Sequence, residues 1–347
     1  MPPVNAHRLY IYDEAFDNEI DARIHVFDGD TYRRLGQIDA GYYPSYNLSP
    51  DGKQSAVGTT YWSRGGHGTR TDVVEFTDNQ TLAITHEIVL PSKRAHTLPT
   101  PYNLGYSADG RFVYVAYVTP AASFGVVDVA KKAVLSEIDT AGCVLVIPFG
   151  TNRVSSMCED GKFLTVSLDD KGNETARSLS APVFDPDVDP VFVQGIPMKG
   201  GHSFISFLGD VHEVDFSGDQ PQPRKPWAMV SGAERGLWRP GGTQPGAIHS
   251  KLHRLYVTMH QGGEGSHKEA GSEIWVFDTQ SHKRIARWPL KALKLSNAVG
   301  VQVSQDDKPL LFAATDKSDL AVLDALTGKL KHVEAHMGQT PWFMLNP

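Results

Sequence analysis

Fourteen histidines make metal binding the first chemistry to consider in this 347-residue sequence. His249, His253, His260 and His267 form the densest group, and imidazole nitrogens are common ligands of zinc, copper and iron. Their spacing matches neither a zinc site nor a site of two histidines and one carboxylate, and His249 and His253 flank a predicted turn. The sequence therefore favours solvated turn histidines over metal ligands, and we expect no metal in this chain.

Other motifs that support catalysis are equally incomplete. The segment RGGHGTR at Arg64 is rich in glycine, but it lacks the Lys-Ser/Thr ending and the following helix of a phosphate-binding loop. The carboxylate pairs Asp169–Asp170 and Asp306–Asp307 lie in predicted turns, where aspartate caps backbone N–H groups rather than transferring protons. From the residues alone, we expect neither a catalytic group nor a cofactor-binding residue in this chain.

The composition is that of a folded chain with an acidic balance. Hydrophobic residues make up 40% and charged residues 21%, and the formal net charge is -7. A negative chain does not attract phosphate backbones, so nucleic acid is not expected as a partner. No segment approaches the roughly 18 consecutive apolar residues of a spanning helix, so no membrane association is expected. The first eight residues lack the features of a secretory leader, which leaves a cytoplasmic protein or a mature form without its leader.

Cys143 and Cys158 are the only two cysteines. The residues between them read as a hairpin with its turn near Gly150 and Thr151, which places the two cysteines opposite each other and within disulfide reach. The alternative is a pair of buried, reduced thiols. A disulfide indicates an oxidising compartment.

Seven copies of one unit recur along the chain. Each has a β-branched or aromatic run, a turn with aspartate and a further strand, as in RIHVFDGDTYRRLGQI at Arg23 and EIWVFDTQSHKRIARW at Glu273. Most copies are roughly 41 to 50 residues apart, which is the span of a four-stranded propeller blade. The sequence thus predicts an all-β fold, a seven-bladed β-propeller. The turn aspartates are Asp28, Asp78, Asp128, Asp169, Asp215, Asp278 and Asp324.

Further patterns define the ends and the irregular parts of this propeller. A second turn signature occurs as SPDGK at Ser49, SADGR at Ser107, CEDGK at Cys158 and SQDDK at Ser304, with HSKLHR at His249 in the equivalent place. The N-terminal HRLYIYD and C-terminal PWFMLNP read as strands of one blade that close the ring. We expect a single domain over residues 1–347 with a loop insertion around 226–246, and at most a helical turn or two near 230–236.

Large aromatic residues crowd the predicted loops rather than the strands. They are Tyr42, Tyr43 and Tyr46 in AGYYPSYN, Tyr61 and Trp62 in TTYWSRGGHG, and Trp227 and Trp238 in the insertion. Aromatic residues in loops rich in glycine and proline are typical of an interface or a pocket rim. The alternative is that they fold back onto the blade edges.

Several longer segments, spread in order over nearly the whole chain, are more specific than any single motif. They are RLYIYD with ARIHVFD, SRGGHGTRTDVVEF, PAASFGVVDVAKK, the GC and MC cysteine pair around Pro148, DFSGD, WRPGG, EGSHKEAGSEIWVFDT and VSQDDKPLLFA. Together they resemble the heavy subunit of the tryptophan tryptophylquinone amine dehydrogenases, the family of aromatic (aralkyl) amine dehydrogenase and methylamine dehydrogenase.

The resemblance implies a periplasmic enzyme in which this chain is the non-catalytic large subunit. The family fold is a seven-bladed propeller, and the family's heavy-chain disulfide falls on Cys143 and Cys158. The tryptophan tryptophylquinone cofactor and the catalytic aspartate belong to a small subunit, so no cofactor is expected in this chain. The implied partners are that small subunit, in an α2β2 heterotetramer, and a blue-copper protein of the azurin or amicyanin type or a cytochrome as electron acceptor.

The resemblance also implies a role for the segment AGYYPSYN. The family's heavy chain contributes a phenylalanine from this loop to the hydrophobic channel that leads to the quinone. Tyr42 takes that position and Tyr43 follows it, so both are expected to line the substrate channel. The hydroxyl group of Tyr42 narrows the channel or adds a hydrogen bond.

The resemblance implies oxidation of a primary amine to an aldehyde and ammonia, but its segments divide over which amine. EGSHK, EIWVFDT and DVAK are similar to the aromatic-amine enzyme, and WRPGG and VSQDDKPLL to the methylamine enzyme. We expect aromatic or arylalkyl amines, with methylamine as the alternative.

A second class of protein is compatible with a propeller. It is a stand-alone interaction scaffold, or a lactonase-like hydrolase with a metal on the propeller axis. That protein would be a monomer with carboxylates and a metal in the central channel. Metal analysis, and co-purification with a small polypeptide that absorbs visible light, distinguish the two classes.

Overall fold

The computed structural model describes residues 1–347, and its regular structure consists of 29 β-strands and five short 3-10 helices. The strands of blades 1 to 3 are β1 (Arg8–Asp13), β2 (Ala22–Asp28), β3 (Arg33–Leu48), β4 (Gln54–Trp62), β5 (Arg70–Asp78), β6 (Ile84–Leu90), β7 (Leu104–Tyr106), β8 (Phe112–Tyr117), β9 (Ser123–Asp128), β10 (Ala133–Asp139) and, in blade 1, β29 (Pro341–Leu345). Blades 4 and 5 contain β11 (Cys143–Phe149), β12 (Arg153–Cys158), β13 (Phe163–Leu168), β14 (Glu174–Leu179), β15 (Ile196–Met198), β16 (Gly201–Ile205), β17 (Asp210–Asp215), β18 (Gln222–Pro223) and β19 (Trp227–Ala228).

The remaining strands and the helices complete the list. Blades 6 and 7 contain β20 (Trp238–Pro240), β21 (Gly246–His249), β22 (Arg254–Gln261), β23 (Glu273–Asp278), β24 (Lys283–Pro289), β25 (Ala298–Val303), β26 (Leu310–Thr315), β27 (Leu320–Asp324) and β28 (Leu330–Glu334). The 3-10 helices are η1 (Phe16–Asn18), η2 (Pro101–Asn103), η3 (Gly232–Glu234), η4 (Ser266–Lys268) and η5 (Leu290–Leu293). None of them has the length and apolar content needed to cross a bilayer. The helical turn expected near 230–236 is η3.

The strands form six antiparallel sheets, and the largest contains two blades. Its order is β29-β1-β2-β3-β4-β5-β6, and β3 has 16 residues. The first part of β3 pairs with β2 as far as Gly41, and the second part pairs with β4 from Tyr42 onward. β3 is therefore the outer strand of blade 1 and the inner strand of blade 2. Because the other five sheets are one blade each, the protein has seven blades, and the predicted all-β propeller is confirmed.

The two ends of the chain meet in blade 1. β1 pairs with β29 in antiparallel register, with Tyr10 opposite Leu345 and Tyr12 opposite Phe343. β1 also pairs with β2 along its other edge. This pairing closes the ring with the first and last strands, as the terminal segments predict. Because β1 is paired along both edges, it has no unpaired edge at which another chain could add a strand.

Burial explains why the middle strands of a blade are so apolar. All six residues of β8 and of β26 are buried, because neighbouring blades cover both faces of a middle strand. The outer strands β14 and β24 are largely exposed and carry many polar side chains. The apolar runs that separate the turn aspartates therefore form the middle strands of the blades, which are covered on both faces.

The seven repeated aspartates all cap turns between the third and fourth strands of their blades. Each accepts at least one backbone N–H from two or three residues further on with its side-chain oxygen, which is the geometry of an Asx turn. In Asp78, for example, one oxygen accepts from the backbone of both Gln80 and Thr81. The acceptors are Asp28, Asp78, Asp128, Asp169, Asp215, Asp278 and Asp324.

One of the predicted Asp-Gly turns is in a different place. The segment CEDGK joins the second and third strands of blade 4, β12 and β13, whereas SPDGK and SADGR join the first and second strands of their blades. Residues 150–152 take the equivalent place in blade 4, with Gly150 at φ 61°. The prediction for CEDGK is wrong because an Asp-Gly pair suits a tight turn at either end of a strand.

Strand direction divides the connections between two faces. Turns from the first to the second strand and from the third to the fourth lie on one face, which we call the lower face. Connections from the second to the third strand, and from one blade to the next, lie on the opposite or upper face. The capped aspartate turns are thus on the lower face, and residues 226–246, which contain η3 and β20, are on the upper face.

Candidate interface and substrate-access site

The upper face carries most of the exposed apolar side chains found in connections between strands. These are Ile20, Leu98, Val118, Val188, Val193 and Leu237, between 42% and 69% exposed. On the lower face only Leu326 is comparable. A concentration of exposed apolar residues on one face is the usual mark of a protein interface.

An apolar pocket of about 270 Å³ opens among these residues, over blades 3 and 4. Leu98, Val118, Val144 and Val193 line it, and each is at least 42% exposed. Cys143 also lines the pocket, and it forms a disulfide with Cys158. The disulfide therefore joins the first two strands of blade 4 at the upper face.

The connection between blades 2 and 3 reaches across the upper end of the propeller axis. The carbonyl oxygen of Pro99 accepts a hydrogen bond from the indole nitrogen of Trp342, at 2.9 Å, and from the amide of Gln194, at 3.1 Å. Trp342 belongs to the inner strand of blade 1, and Gln194 to the connection between blades 4 and 5. These contacts fix the segment beside the pocket.

Tyr42 and Tyr43 lie where β3 passes from blade 1 to blade 2. The pairing of β3 with β4 shifts register between Tyr42 and Ser45, and Tyr43 has φ 41°, a left-handed conformation that is unusual for tyrosine. The two rings meet edge to face with centroids 5.0 Å apart, and the Tyr42 ring packs edge to face on His96 at 5.1 Å. Both tyrosines are partly exposed at the upper face.

Other aromatic residues of the predicted rim are buried instead. Tyr46 is completely buried and its hydroxyl group bonds to Ser55 at 2.8 Å. Trp227 and Trp238 are 8% and 7% exposed and pack in the core of blades 5 and 6. Folding back onto the blades is therefore correct for these three residues, whereas Tyr61 is 45% exposed.

Arg94, which was not predicted from the sequence, binds the backbone of the Tyr42–Tyr43 segment on its buried side. Its side chain is 1% exposed, and it donates to the carbonyl oxygens of Tyr43 at 2.5 Å and Tyr42 at 2.8 Å. It also donates to the hydroxyl of Thr60 at 2.9 Å. Burial lowers the pKa of Arg94 to about 10.

Thr60 connects Arg94 to a buried carboxylate and to His96. Its hydroxyl lies 2.8 Å from a carboxylate oxygen of Asp72 and 2.8 Å from Nε2 of His96. Although burial by itself raises the pKa of Asp72, hydrogen bonds from Arg70 and Thr60 hold it below its usual value. Burial, together with the positive charges of Arg94 and Arg70, lowers the pKa of His96 to about 4. The ring beside Tyr42 is thus uncharged near neutral pH.

A second buried carboxyl group lies behind Tyr43. Glu14 is 0% exposed, and burial raises its pKa to about 7, partly offset by a hydrogen bond from Tyr12. Nearer the surface, the Tyr43 hydroxyl donates to Glu19 at 3.0 Å. Burial and this bond raise the pKa of Tyr43 to about 12.

The four candidate metal ligands have separate structural roles. His249 is 0% exposed, with Nε2 2.9 Å from the carbonyl oxygen of Asp306 and Nδ1 accepting from the backbone of Leu252. His260 is 4% exposed, so solvation was a wrong expectation for these two residues: both lie inside blade 6. His253 is exposed in a turn, as expected.

His267 stacks on Phe207 with centroids 3.8 Å apart, on the upper face. No group of three or more His, Cys, Asp or Glu side chains in the chain is arranged to hold a metal ion.

The fold is a seven-bladed propeller whose upper face carries most of the exposed apolar side chains found in its connections. A family model described as methylamine dehydrogenase heavy chain matches residues 5–346. The chain belongs to this methylamine dehydrogenase heavy chain family.

Curated relatives agree over almost the whole chain. The methylamine dehydrogenase heavy chain of Methylophilus methylotrophus is 26% identical and is matched over 98% of this chain and 83% of its own length. That of Methylobacillus flagellatus is 27% identical, over 99% and 85%. That of Paracoccus versutus is 28% identical, over 98% and 79%.

Solved structures with lower identity support the fold alone. The dihydro-heme d1 dehydrogenase NirN, in complex with DHE, matches with a TM-score of 0.62 and 16% identity, over 99% of this chain and 76% of that chain. U3-55K matches with a TM-score of 0.57 and 11% identity, over 90% and 86%.

Proposed function

We propose that this chain is the large, non-catalytic subunit of a quinoprotein amine dehydrogenase, which oxidises a primary amine to an aldehyde and ammonia. The observation that carries the proposal is the family match over residues 5–346. When bound, a tryptophan tryptophylquinone supplies the electron acceptor for the amine. In this proposal the small subunit holds that cofactor and the catalytic groups.

The pair of tryptophans in contact in this chain does not fit that cofactor. Trp238 and Trp275 are in contact, with ring centroids 5.0 Å apart, but they are 7% and 0% exposed. Arg287 packs over both rings and Arg284 over that of Trp275. A pair enclosed in this way is a packing cluster and is closed to a substrate, which supports a cofactor on the partner.

We assign the upper face to the small subunit. Leu98, Val118, Val144 and Val193 are exposed around one apolar pocket, and a stable interface needs such an apolar centre with a polar rim. An α2β2 heterotetramer is the proposed assembly. A disulfide between Cys143 and Cys158 supports a periplasmic location, where such bonds persist. A blue-copper protein or a cytochrome is the proposed electron acceptor.

Tyr42 and Tyr43 are the proposed lining of the substrate channel. Their rings and that of His96 form a rim of three aromatic groups at the upper face. Aromatic surfaces pack well against an aromatic or arylalkyl amine, which supports that class as the preferred substrate. Methylamine, the amine in the names of the relatives, is the alternative.

Reconstitution tests the proposal. The chain is co-expressed with a cofactor-bearing small subunit of the same enzyme family, and oxidation of methylamine and of 2-phenylethylamine is followed by dye reduction. We expect the two chains to co-purify and the complex to oxidise amines, while the isolated chain is inactive. Amine oxidation by this chain alone would overturn the division of roles.

A further inference from the structure

We infer that Arg94 is a positioning residue of the substrate entrance, which holds Tyr42 and Tyr43 in place through their backbone carbonyl groups. This inference rests on the proposed function, since it concerns access of the amine to the small subunit. It assigns a specific role in amine entry to a residue that touches neither the amine nor the cofactor.

The first step is the irregular backbone. Where β3 changes blades, the register shift between Tyr42 and Ser45 interrupts the ladder with β4. Carbonyl oxygens at such a bulge lose their ladder partners and need others. The two terminal nitrogens of the Arg94 guanidinium are these new partners: Nη1 donates to the carbonyl of Tyr43 at 2.5 Å and Nη2 to that of Tyr42 at 2.8 Å.

The second step is that Arg94 has no competing ionic role. Its side chain is almost completely buried, and no carboxylate forms a salt bridge with it: the nearby Asp72 is paired with Arg70 at 2.7 Å. Burial of a cation costs less free energy when its hydrogen bonds are satisfied. Carbonyl oxygens and the Thr60 hydroxyl are its partners, so the guanidinium and the irregular segment stabilise each other.

The third step connects Arg94 to the aromatic rim. His96 follows two residues later, packs on the Tyr42 ring and bonds to Thr60. Arg94 therefore holds Tyr42 and Tyr43 through their backbone carbonyls. It is connected to His96 through the backbone of residues 94–96 and through the Thr60 hydroxyl. Burial, with a contribution from the positive charge of Arg94, lowers the pKa of His96 and keeps its ring neutral, and a neutral ring does not repel a primary ammonium ion at the entrance.

A fork of two nitrogens is required for this role. Arginine spans two successive carbonyl groups, whereas lysine carries one ammonium group and cannot reach both in the same geometry. Arg8 is a control for the loss of a buried arginine that binds backbone carbonyls without the two-nitrogen fork, because it is 0% exposed and a single nitrogen, Nη2, donates to the carbonyls of Pro2 and Pro3. It lies at the lower end of blade 1, away from the rim.

The test uses the complex of this chain with its small subunit. KM and kcat are measured for methylamine and 2-phenylethylamine in the wild type and in the Arg94→Met, Arg94→Lys and Arg8→Met variants. We expect Arg94→Met to raise KM at least tenfold for 2-phenylethylamine, and less for methylamine, with kcat within about twofold. Arg94→Lys should recover part of the loss, and Arg8→Met should leave KM unchanged even if it lowers the unfolding temperature.

Two further measurements keep the inference testable. If Arg94→Met does not fold, Thr60→Val serves instead, because it removes the hydroxyl that joins Arg94 to His96. Its KM should be higher than that of the wild type, as we also expect for Arg94→Lys. Hydrogen exchange of the amides in residues 41–46 should accelerate in the Arg94 variants and not in Arg8→Met, and it needs no enzyme activity.

The outcomes separate the two proposals. A wild-type complex that oxidises no amine would sink the proposed function, whatever the exchange rates show. An active wild type with unchanged KM in Arg94→Lys and Thr60→Val, or with an equal rise in Arg8→Met, would overturn the role of Arg94 alone.

Discussion

The hydroxyl group of Tyr12 donates to the carboxyl group of Glu14, and both side chains are completely buried. The other oxygen of Glu14 has no hydrogen-bond partner. Burial therefore favours the protonated acid, and the pKa of Glu14 rises to about 7. An acid whose pKa is raised by folding stabilises the protein below its unfolded pKa and loses that contribution as the pH rises through 7.

The first prediction concerns Glu14→Gln. Glutamine keeps the shape without ionising, so its advantage over glutamate should grow between about pH 4.5 and pH 7, by up to about 3 kcal/mol. The measurement is the free energy of unfolding of both proteins at pH 5 and pH 8. Glu264→Gln, at an exposed loop position, serves as the control. If the free energies of unfolding of Glu14→Gln and wild type differ by the same amount at both pH values, Glu14 is not a buried acid with a raised pKa.

The second prediction concerns Tyr42→Phe. The Tyr42 ring packs on Tyr43 and His96, and phenylalanine keeps this packing while it removes the hydroxyl group. We expect KM for 2-phenylethylamine to fall severalfold in the complex, with stability changed by less than about 0.5 kcal/mol. Tyr32→Phe, in a lower-face turn, should change neither. A KM that does not respond in Tyr42→Phe would remove this residue from the channel.

The third prediction concerns assembly. Leu98→Asp and Val144→Asp place a charge at exposed positions beside the apolar pocket, where a partner would have to desolvate it. Each should weaken binding of the small subunit at least tenfold, as measured by titration with the purified partner. Leu326→Asp makes the same change on the lower face and should bind normally. If all three variants bind the small subunit as tightly as the wild type does, the interface lies elsewhere.

The fourth prediction concerns the disulfide. Cys143 and Cys158 are 15 residues apart, and closing a loop of this size stabilises a protein by about 3 kcal/mol in the chain-entropy model. The Cys143→Ser/Cys158→Ser variant should therefore lose about that much free energy of unfolding. A reducing agent should lower the stability of the wild type and leave that of the variant unchanged. Equal stability of wild type and variant would show that the bond has no such effect.

Much of the fold could be predicted because its repeat depends on local chemistry. Each turn aspartate, such as Asp78, caps the backbone of its own next few residues, so its spacing is visible in the sequence. The same local chemistry misplaced CEDGK, since an Asp-Gly turn looks alike at both ends of a blade. The burial of His249 was missed because its acceptor, the carbonyl of Asp306, is 57 residues away.

The site was only partly predictable for a similar reason. Tyr42 and Tyr43 were named as channel residues from their segment, which stays a prediction, but Arg94 was not named, because its acceptors are backbone oxygens 51 and 52 residues earlier. A backbone carbonyl leaves no pattern of residue types. Glu14 was missed because its raised pKa comes from burial, which the sequence does not display. The one available signal was an Arg-x-His in the proline-rich connection between blades 2 and 3.

The pairing of β1 with β29 has a consequence for folding. Blade 1 is completed only when β29 docks on β1, so the edge of β1 stays uncovered until two strands more than 300 positions apart have met. An uncovered strand edge can pair with another chain. Cleavage that removes β29 (Pro341–Leu345) from the folded protein would expose the same edge again.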